Sequence, residues 1–349
     1  MTLRAQALDG AGTGHGRTGK GYAMFTRLGR LWGAPGAKER LGKELDKANK
    51  ELAEANERIA QQRLRIKRLR QGDEEPRNIR AENLVWIFGA GRTGSSWLSA
   101  MMGELEGHTV WFEPWVGALF DPYHLRLADR KGKDFILSPR YRKTWLRSIR
   151  AFVLDGAEAR FPGATDASNY LVIKEPGGSV GAALLMEALP ESRMILLVRD
   201  PRDVAASWID AHREGGWQDG RRKERDRPLV PVDSRAQKYL QNIGEAKKAY
   251  DFHEGRKALV KYEELRADAV GTLMRVYSEL GIEADEEELS RSARKHSWEN
   301  IPIGEKGEGK FFRKATPGSW REDLTPEQAG TVEKITAPLL KEFYPDNRE

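Results

Sequence analysis

From residue 81 onward, short runs rich in β-branched and aromatic residues alternate with stretches of helical periodicity. That alternation leaves few options. It is the pattern of a mostly parallel sheet covered by helices, so the expected fold class is α/β with a parallel central sheet. Candidate strands are Leu84–Phe88, Thr109–Phe112, Tyr170–Lys174, Arg193–Val198 and Ala258–Tyr262. Ligands of such sheets bind beyond the carboxyl ends of the strands, and the residues that follow each strand are where chemistry is to be sought.

After the first strand comes Gly89-Ala90-Gly91-Arg92-Thr93-Gly94-Ser95-Ser96-Trp97-Leu98, a glycine-rich turn leading into a helix that starts near Ser95. Open backbone amides at a helix N-terminus cradle anionic oxygens, Arg92 adds a positive charge, and the Thr and Ser hydroxyls add donors. The fourth strand runs into Val198-Arg199-Asp200-Pro201-Arg202-Asp203-Val204-Ala205-Ala206-Ser207-Trp208. Arg199 at its tip and Ser207 two turns into the next helix form a second anion site, against the alternative of an Arg–Asp pair capping the helix. A third basic loop, Phe311-Phe312-Arg313-Lys314-Ala315-Thr316-Pro317-Gly318-Ser319-Trp320-Arg321, lies near the C-terminus. Three such loops on one domain suggest a ligand with phosphate groups at both ends.

Two look-alikes compete. Gly89–Gly94 satisfies the dinucleotide pattern G-x-G-x-x-G, with Glu113 as its ribose-binding acid, but Arg92 puts a bulky charge where a pyrophosphate would press on the backbone. Gly14–Lys20 has the spacing of a Walker loop, yet no strand precedes it and Gly21 stands where Ser or Thr must bind magnesium.

Composition bears on what remains. The chain has no cysteine, which excludes disulfides, thiolate metal sites and a cysteine nucleophile. Its net charge of +6 invites a nucleic-acid reading, but residues 1–80 hold 18 Lys+Arg against 10 Asp+Glu, so the rest of the chain is nearly neutral and no nucleic-acid partner is expected. Residues 1–37 read as a flexible, basic, glycine-rich tail. Residues 38–71 read as a coiled-coil helix, because Leu41, Leu45, Ala48, Leu52, Ala55, Ile59, Gln62, Ile66 and Leu69 keep a 4-3 spacing. A homo-oligomer through residues 41–69 is the expected consequence, the alternative being a single helix lying on the globular domain. Residues 81–349 read as one further domain, which carries the three loops. No signal peptide or transmembrane segment is seen, which points to a cytoplasmic protein, and Met24–Trp32 suits weak contact with an anionic membrane surface.

The three loops together resemble those of sulfotransferases that use 3′-phosphoadenosine 5′-phosphosulfate (PAPS). Gly91–Trp97 is similar to that family's 5′-phosphosulfate loop, Leu197–Ser207 to its 3′-phosphate loop, and Arg313-Lys314 with Gly318-Ser319-Trp320 to its C-terminal basic loop. Lys261-Tyr262-Glu263-Glu264-Leu265 resembles its tyrosine-glutamate motif, which adds Tyr262 to the nucleotide site. Arg92 stands where many members have lysine and Ala315 where many have glycine. The resemblance implies a P-loop-like sulfotransferase fold with PAPS as co-substrate. Arg92 and the amides of Thr93, Gly94, Ser95 and Ser96 would hold the 5′-phosphosulfate. Arg199, Ser207, Arg313 and Lys314 would clamp the 3′-phosphate, and Trp97 and Trp298 would sandwich the adenine. No metal is called for, since arginine and lysine supply the positive charge.

An acceptor hydroxyl must lose its proton as sulfur is attacked. Glu113 and Glu175 are the candidate bases. Glu113 is favoured, because Phe112-Glu113-Pro114 resembles carbohydrate sulfotransferases. Lys174 is placed either to contact the bridging oxygen or to pair with Glu175. Residues 126–150 carry nine basic side chains against Asp129 and Asp134, suggesting an acidic saccharide or other anionic acceptor lying there, with a solvated basic helix as the alternative. A dinucleotide-binding oxidoreductase and a non-enzymatic coiled-coil scaffold remain as other readings.

Overall fold

A computed structural model describes residues 37–71, 79–120, 138–162, 169–219 and 231–345. The chain divides into two units, residues 1–76 and 77–349. In the first, α1 (Ala37–Gln71) is the helix that the heptad spacing predicts, and Leu45, Leu52 and Ile59 of its seam are exposed. Leu41, Ile66 and Leu69 fall where side chains lie outside the described residues.

The second unit is built on five parallel strands: β1 (Leu84–Gly89), β2 (His108–Phe112), β3 (Tyr170–Lys174), β4 (Arg193–Val198) and β5 (Lys257–Lys261), in the order β2-β3-β1-β4-β5. The boundaries of β1, β2 and β5 differ from the sequence-based expectation by one residue at an end, where the ladder and not local propensity sets the limit. The strands are joined and covered by α2 (Ser95–Met102), α3 (Arg142–Arg160), α4 (Ala182–Ala188), α5 (Pro201–His212), α6 (Val232–Phe252), α7 (Tyr262–Ala267), α8 (Ala269–Leu280), α9 (Glu286–Lys295), α10 (Trp320–Asp323) and α11 (Pro326–Phe343).

All six residues of β1 are buried. Alternation sends Leu84, Trp86 and Phe88 into one core with α3, α4, α6 and α11, and Val85 and Ile87 into the other with α2 and α8. Several helix starts are written locally: Asp200, Asp268 and Asp285 each accept a backbone N–H at an N-terminus, and Thr325 with Gln328 forms a capping box. Each such cap is worth about 1 kcal/mol. No described helix is long and apolar enough to cross a membrane.

Strand order reverses at β1, whose neighbours are β3 and β4. The register aligns the strand tips, with Ile87 beside Lys174 and Ile195, and Phe112 beside Lys174. The crevice beyond those tips is the predicted ligand position for a doubly wound sheet.

Candidate active site

A cavity of about 680 Å³ occupies that crevice. Eight Lys or Arg side chains line it against a single carboxylate, Glu113. The described residues include four non-glycine residues with positive φ, namely Arg92 (71°), Glu113 (48°), Trp115 (59°) and Ala315 (51°), and all four line this cavity. An L-residue in that conformation costs about 1–2 kcal/mol, and strain of this kind collects where geometry serves a ligand.

The glycine-rich turn follows β1. Gly94 has φ 94°, and a Cβ there would stand 2.6 Å from the Tyr262 ring, so glycine is required by the turn and by the close approach. Arg92 Nε donates to Ser207 Oγ at 2.9 Å and its Nη2 to the Phe311 carbonyl at 2.6 Å. Burial first, and then the Arg199 charge, draw the Arg92 pKa down to about 10, which still leaves it a cation at neutral pH. Arg199 packs 4.2 Å over the Tyr262 ring, and its Nε is buried without a hydrogen-bond partner. Arg199 Nη2 lies 4.0 Å from Asp203 Oδ2, at the limit of an ion pair.

At the other side of the turn, Lys174 Nζ donates to Glu113 Oε1 at 2.5 Å and lies 3.9 Å over the Phe112 ring. The Lys174 side chain is 4% exposed and Glu113 32%, so the pair lies at the cavity wall with the carboxylate facing the opening. Burial lowers the Lys174 pKa, and Glu113 opposes that shift. The C-terminal loop closes the cavity and is held by α5. Both carboxylate oxygens of Asp203 accept loop amides, Gly318 N at 2.7 Å and Trp320 N at 3.0 Å, while Asp210 accepts Gly309 N at 2.9 Å.

Residues 180–344 match the family model of the sulfotransferase domain. Over those residues the chain is similar to sulfotransferases. Cytosolic sulfotransferase 17 of Arabidopsis thaliana is 24% identical over 207 residues, 49% of this chain and 58% of that protein. The chain therefore spans under two thirds of that relative's length. Among solved structures, mouse sulfotransferase SULT7A1 complexed with PAP is similar over 76% of this chain and 86% of its own, at 15% identity and a TM-score of 0.45. Sulfotransferase STF9 from Mycobacterium avium is similar over 76% of this chain and 78% of its own, at 16% identity and a TM-score of 0.49.

The structure brings every residue of the expected site except Thr93 to the cavity lining. Thr93 is fully buried and its hydroxyl donates to the Ala90 carbonyl at 2.7 Å, closing the turn from within. Trp97 Nε1 donates to the His296 carbonyl at 2.8 Å, which fixes its ring beside Tyr262. The helix-capping alternative for the fourth-strand motif belongs to Arg202, which is paired with Asp200 at 2.7 Å, leaving Arg199 to the cavity. Arg313 is turned onto Asp323 and Lys314 onto Asp323 at 2.9 Å, so the third loop holds its cations against acids.

Two expectations are corrected. Glu175 does not line the cavity: it is 1% exposed, and its carboxylate accepts Trp115 N at 3.0 Å and Gly117 N at 3.3 Å, bracing the loop after β2. Lys174 accordingly pairs with Glu113 and not with Glu175. The described part of the basic stretch, Arg140, Arg142, Lys143, Arg147 and Arg150, does not line the cavity either. Arg142 is paired with Glu187, and Arg150 with Glu191 at 2.7 Å, because α3 packs beside α4 and not over the strand tips. Arg126, Arg130, Lys131 and Lys133 lie outside the described residues.

Burial raises the Glu175 pKa to about 7. An acid whose pKa is higher folded than unfolded binds its proton more tightly in the folded state, so its stabilisation is greatest at low pH and is lost as pH rises from about 4.5 through 7. Thermal melts of the protein and of Glu175→Gln are therefore expected to diverge between pH 5 and pH 8. The variant should lose less stability over that interval, by a difference on the order of 3 kcal/mol. Parallel melting curves would show that Glu175 stays ionised throughout.

The sequence reading missed Tyr239, Asp203, Asp210, Trp208, Trp217, Arg235 and Asn242. Tyr239 donates its buried hydroxyl to the Arg199 carbonyl at 2.5 Å. Asp203 and Trp208 were visible only as residues of the motif after the fourth strand, Asp210 lies beyond it, eleven residues after Arg199, and the others carry no local signal.

Proposed function

We propose that the protein transfers the sulfuryl group of PAPS to a hydroxyl of an anionic acceptor, an acidic saccharide being one such class. The observation that carries this reading is the Lys174–Glu113 pair, one lysine and one carboxylate at the wall of a cavity whose other charged lining residues are cations. The buried, unpartnered Nε of Arg199 supports the fit of a nucleotide phosphate beside Ser207, and the amides of residues 94–96 at the start of α2 fit a second anionic group.

In the transfer, a bond forms between the acceptor oxygen and sulfur while the bond from sulfur to the bridging phosphate oxygen breaks, leaving a sulfate ester and 3′,5′-ADP. Glu113 takes the hydroxyl proton. Lys174 stabilises the charge that grows on the departing oxygen, in a site that is already desolvated and needs little reorganisation. Arg92 holds the phosphate on which that charge ends. Trp97 and Trp298 flank the purine, each stack contributing roughly 1–3 kcal/mol.

The test is calorimetry of the full chain with 3′,5′-ADP and with NAD, followed by mass-spectrometric detection of a sulfated acceptor supplied with PAPS. Binding of 3′,5′-ADP and not NAD is expected. Binding of NAD alone would restore the dinucleotide reading and remove this one.

A further inference from the structure

Three cations of the cavity are not used by the sulfuryl-donor site, and one of them, Arg266, donates to the Ala315 carbonyl at 3.1 Å. Arg235 and Lys238 stand one turn apart on α6, with Asn242 four residues further along the same face, and all three line the cavity. Arg235 is stacked 4.4 Å from the Trp208 ring centroid, with its Nη2 3.1 Å from His212 Nε2. It faces no carboxylate among the described residues, and burial alone lowers its pKa. Among the described residues, Lys238 Nζ donates to Gln241 Oε1 at 3.4 Å and pairs with no carboxylate. Asn242 gives its amide N–H to the Pro176 carbonyl at 3.2 Å, which orients Oδ1, and Oδ1 is buried without a partner.

A guanidinium that is part-buried against an indole, with no carboxylate beside it among the described residues, is costly unless an anion completes it. The donor nucleotide does not supply that anion, because its two charged ends belong to the turn after β1 and to Arg199 with Ser207. Other parts of the cavity wall are apolar, with Phe112, Trp115 and Val180 among them.

Resting on the sulfotransferase reading, we infer that the acceptor carries an oxyanion bound by Arg235 and Lys238 and a hydrogen-bond donor taken by Asn242 Oδ1, with its body on Phe112 and Trp115. This wall of α6 then selects anionic hydroxyl compounds over neutral ones. A carboxylate on a small aromatic alcohol and a uronate on a saccharide offer the same chemistry, and the experiment separates them.

The full chain saturated with 3′,5′-ADP is titrated with 4-hydroxyphenylacetate and its methyl ester, and with a glucuronate-containing disaccharide and its methyl ester. In at least one pair the carboxylate is expected to bind about tenfold or more tightly than the ester, the worth of one charge-assisted hydrogen bond. That preference should collapse in Arg235→Gln and in Lys238→Ala, the second an exposed side chain whose loss leaves the fold intact. The pair that responds identifies the source of the anion. Equal binding of ester and carboxylate in both pairs, no binding of either carboxylate, or a preference that survives both substitutions overturns the inference. Failure of 3′,5′-ADP itself to bind would instead overturn the sulfotransferase reading.

Discussion

Glu113→Gln is expected to lower the turnover of sulfuryl transfer by about 10²–10⁴-fold, the usual contribution of a positioned general base, while affinity for 3′,5′-ADP is retained. The substitution is close to isosteric. Glutamine keeps an oxygen for Lys174 Nζ, and the backbone amide of residue 113 continues to donate to the Lys174 carbonyl at 2.9 Å. What is removed is the ability to accept a proton. The left-handed backbone of Glu113, with φ 48°, is held by that amide contact and by the ion pair, so the group is aimed before any ligand arrives. Steady-state kinetics with labelled PAPS reads the effect. Turnover within a few fold of the parent would remove Glu113 from the chemistry.

Asp203→Ala is expected to cost about 3–5 kcal/mol of stability, the range for breaking a buried charged network from one side. For a domain of this size that is a fall in Tm of roughly 6–20 °C. The Asp203 side chain is fully buried, 4.0 Å from Arg199 Nη2, and it holds the amides of Gly318 and Trp320. Desolvation raises its pKa, and Arg199 and the two amides oppose that shift. Alanine leaves two part-buried N–H groups and a guanidinium without this acceptor and loosens the C-terminal loop from α5. Binding of 3′,5′-ADP should weaken together with Tm, because the loop carries Arg313 and Lys314. A melt and a calorimetric titration on the same variant test both. Unchanged Tm and unchanged affinity would show that the loop is held by its other contacts.

These two residues were unequally visible in the sequence. Glu113 stands in a short aromatic stretch right after a strand, where the sheet rule directs attention. Asp203 lies inside a motif whose arginines and serine draw the eye, and its partners are 115 and 117 residues away. Ala315 falls between. Its departure from glycine is readable in the sequence, but only the backbone shows that it adopts φ 51° and offers its carbonyl to Arg266 Nε at 3.1 Å.

The sequence by itself determined the α/β class, the strands to within a residue at their ends, the heptad helix and the turns that carry Arg92, Arg199 and Arg313. Those properties follow from period, capping and glycine placement, which act over a few residues and need no distant partner. Only the tertiary structure decided which carboxylate faces the cavity. Lys174 and Glu175 are neighbours at the tip of β3, and successive side chains of an extended chain point to opposite sides. Lys174 therefore meets Glu113 from another strand, while Glu175 turns inward to two loop amides. Composition alone likewise did not show that packing pairs Arg142 and Arg150 with glutamates in and after α4, while Arg235 and Lys238 of α6 line the cavity. Charge density along a chain is a local quantity, and which face of a helix meets a cavity is settled by packing across the whole sheet.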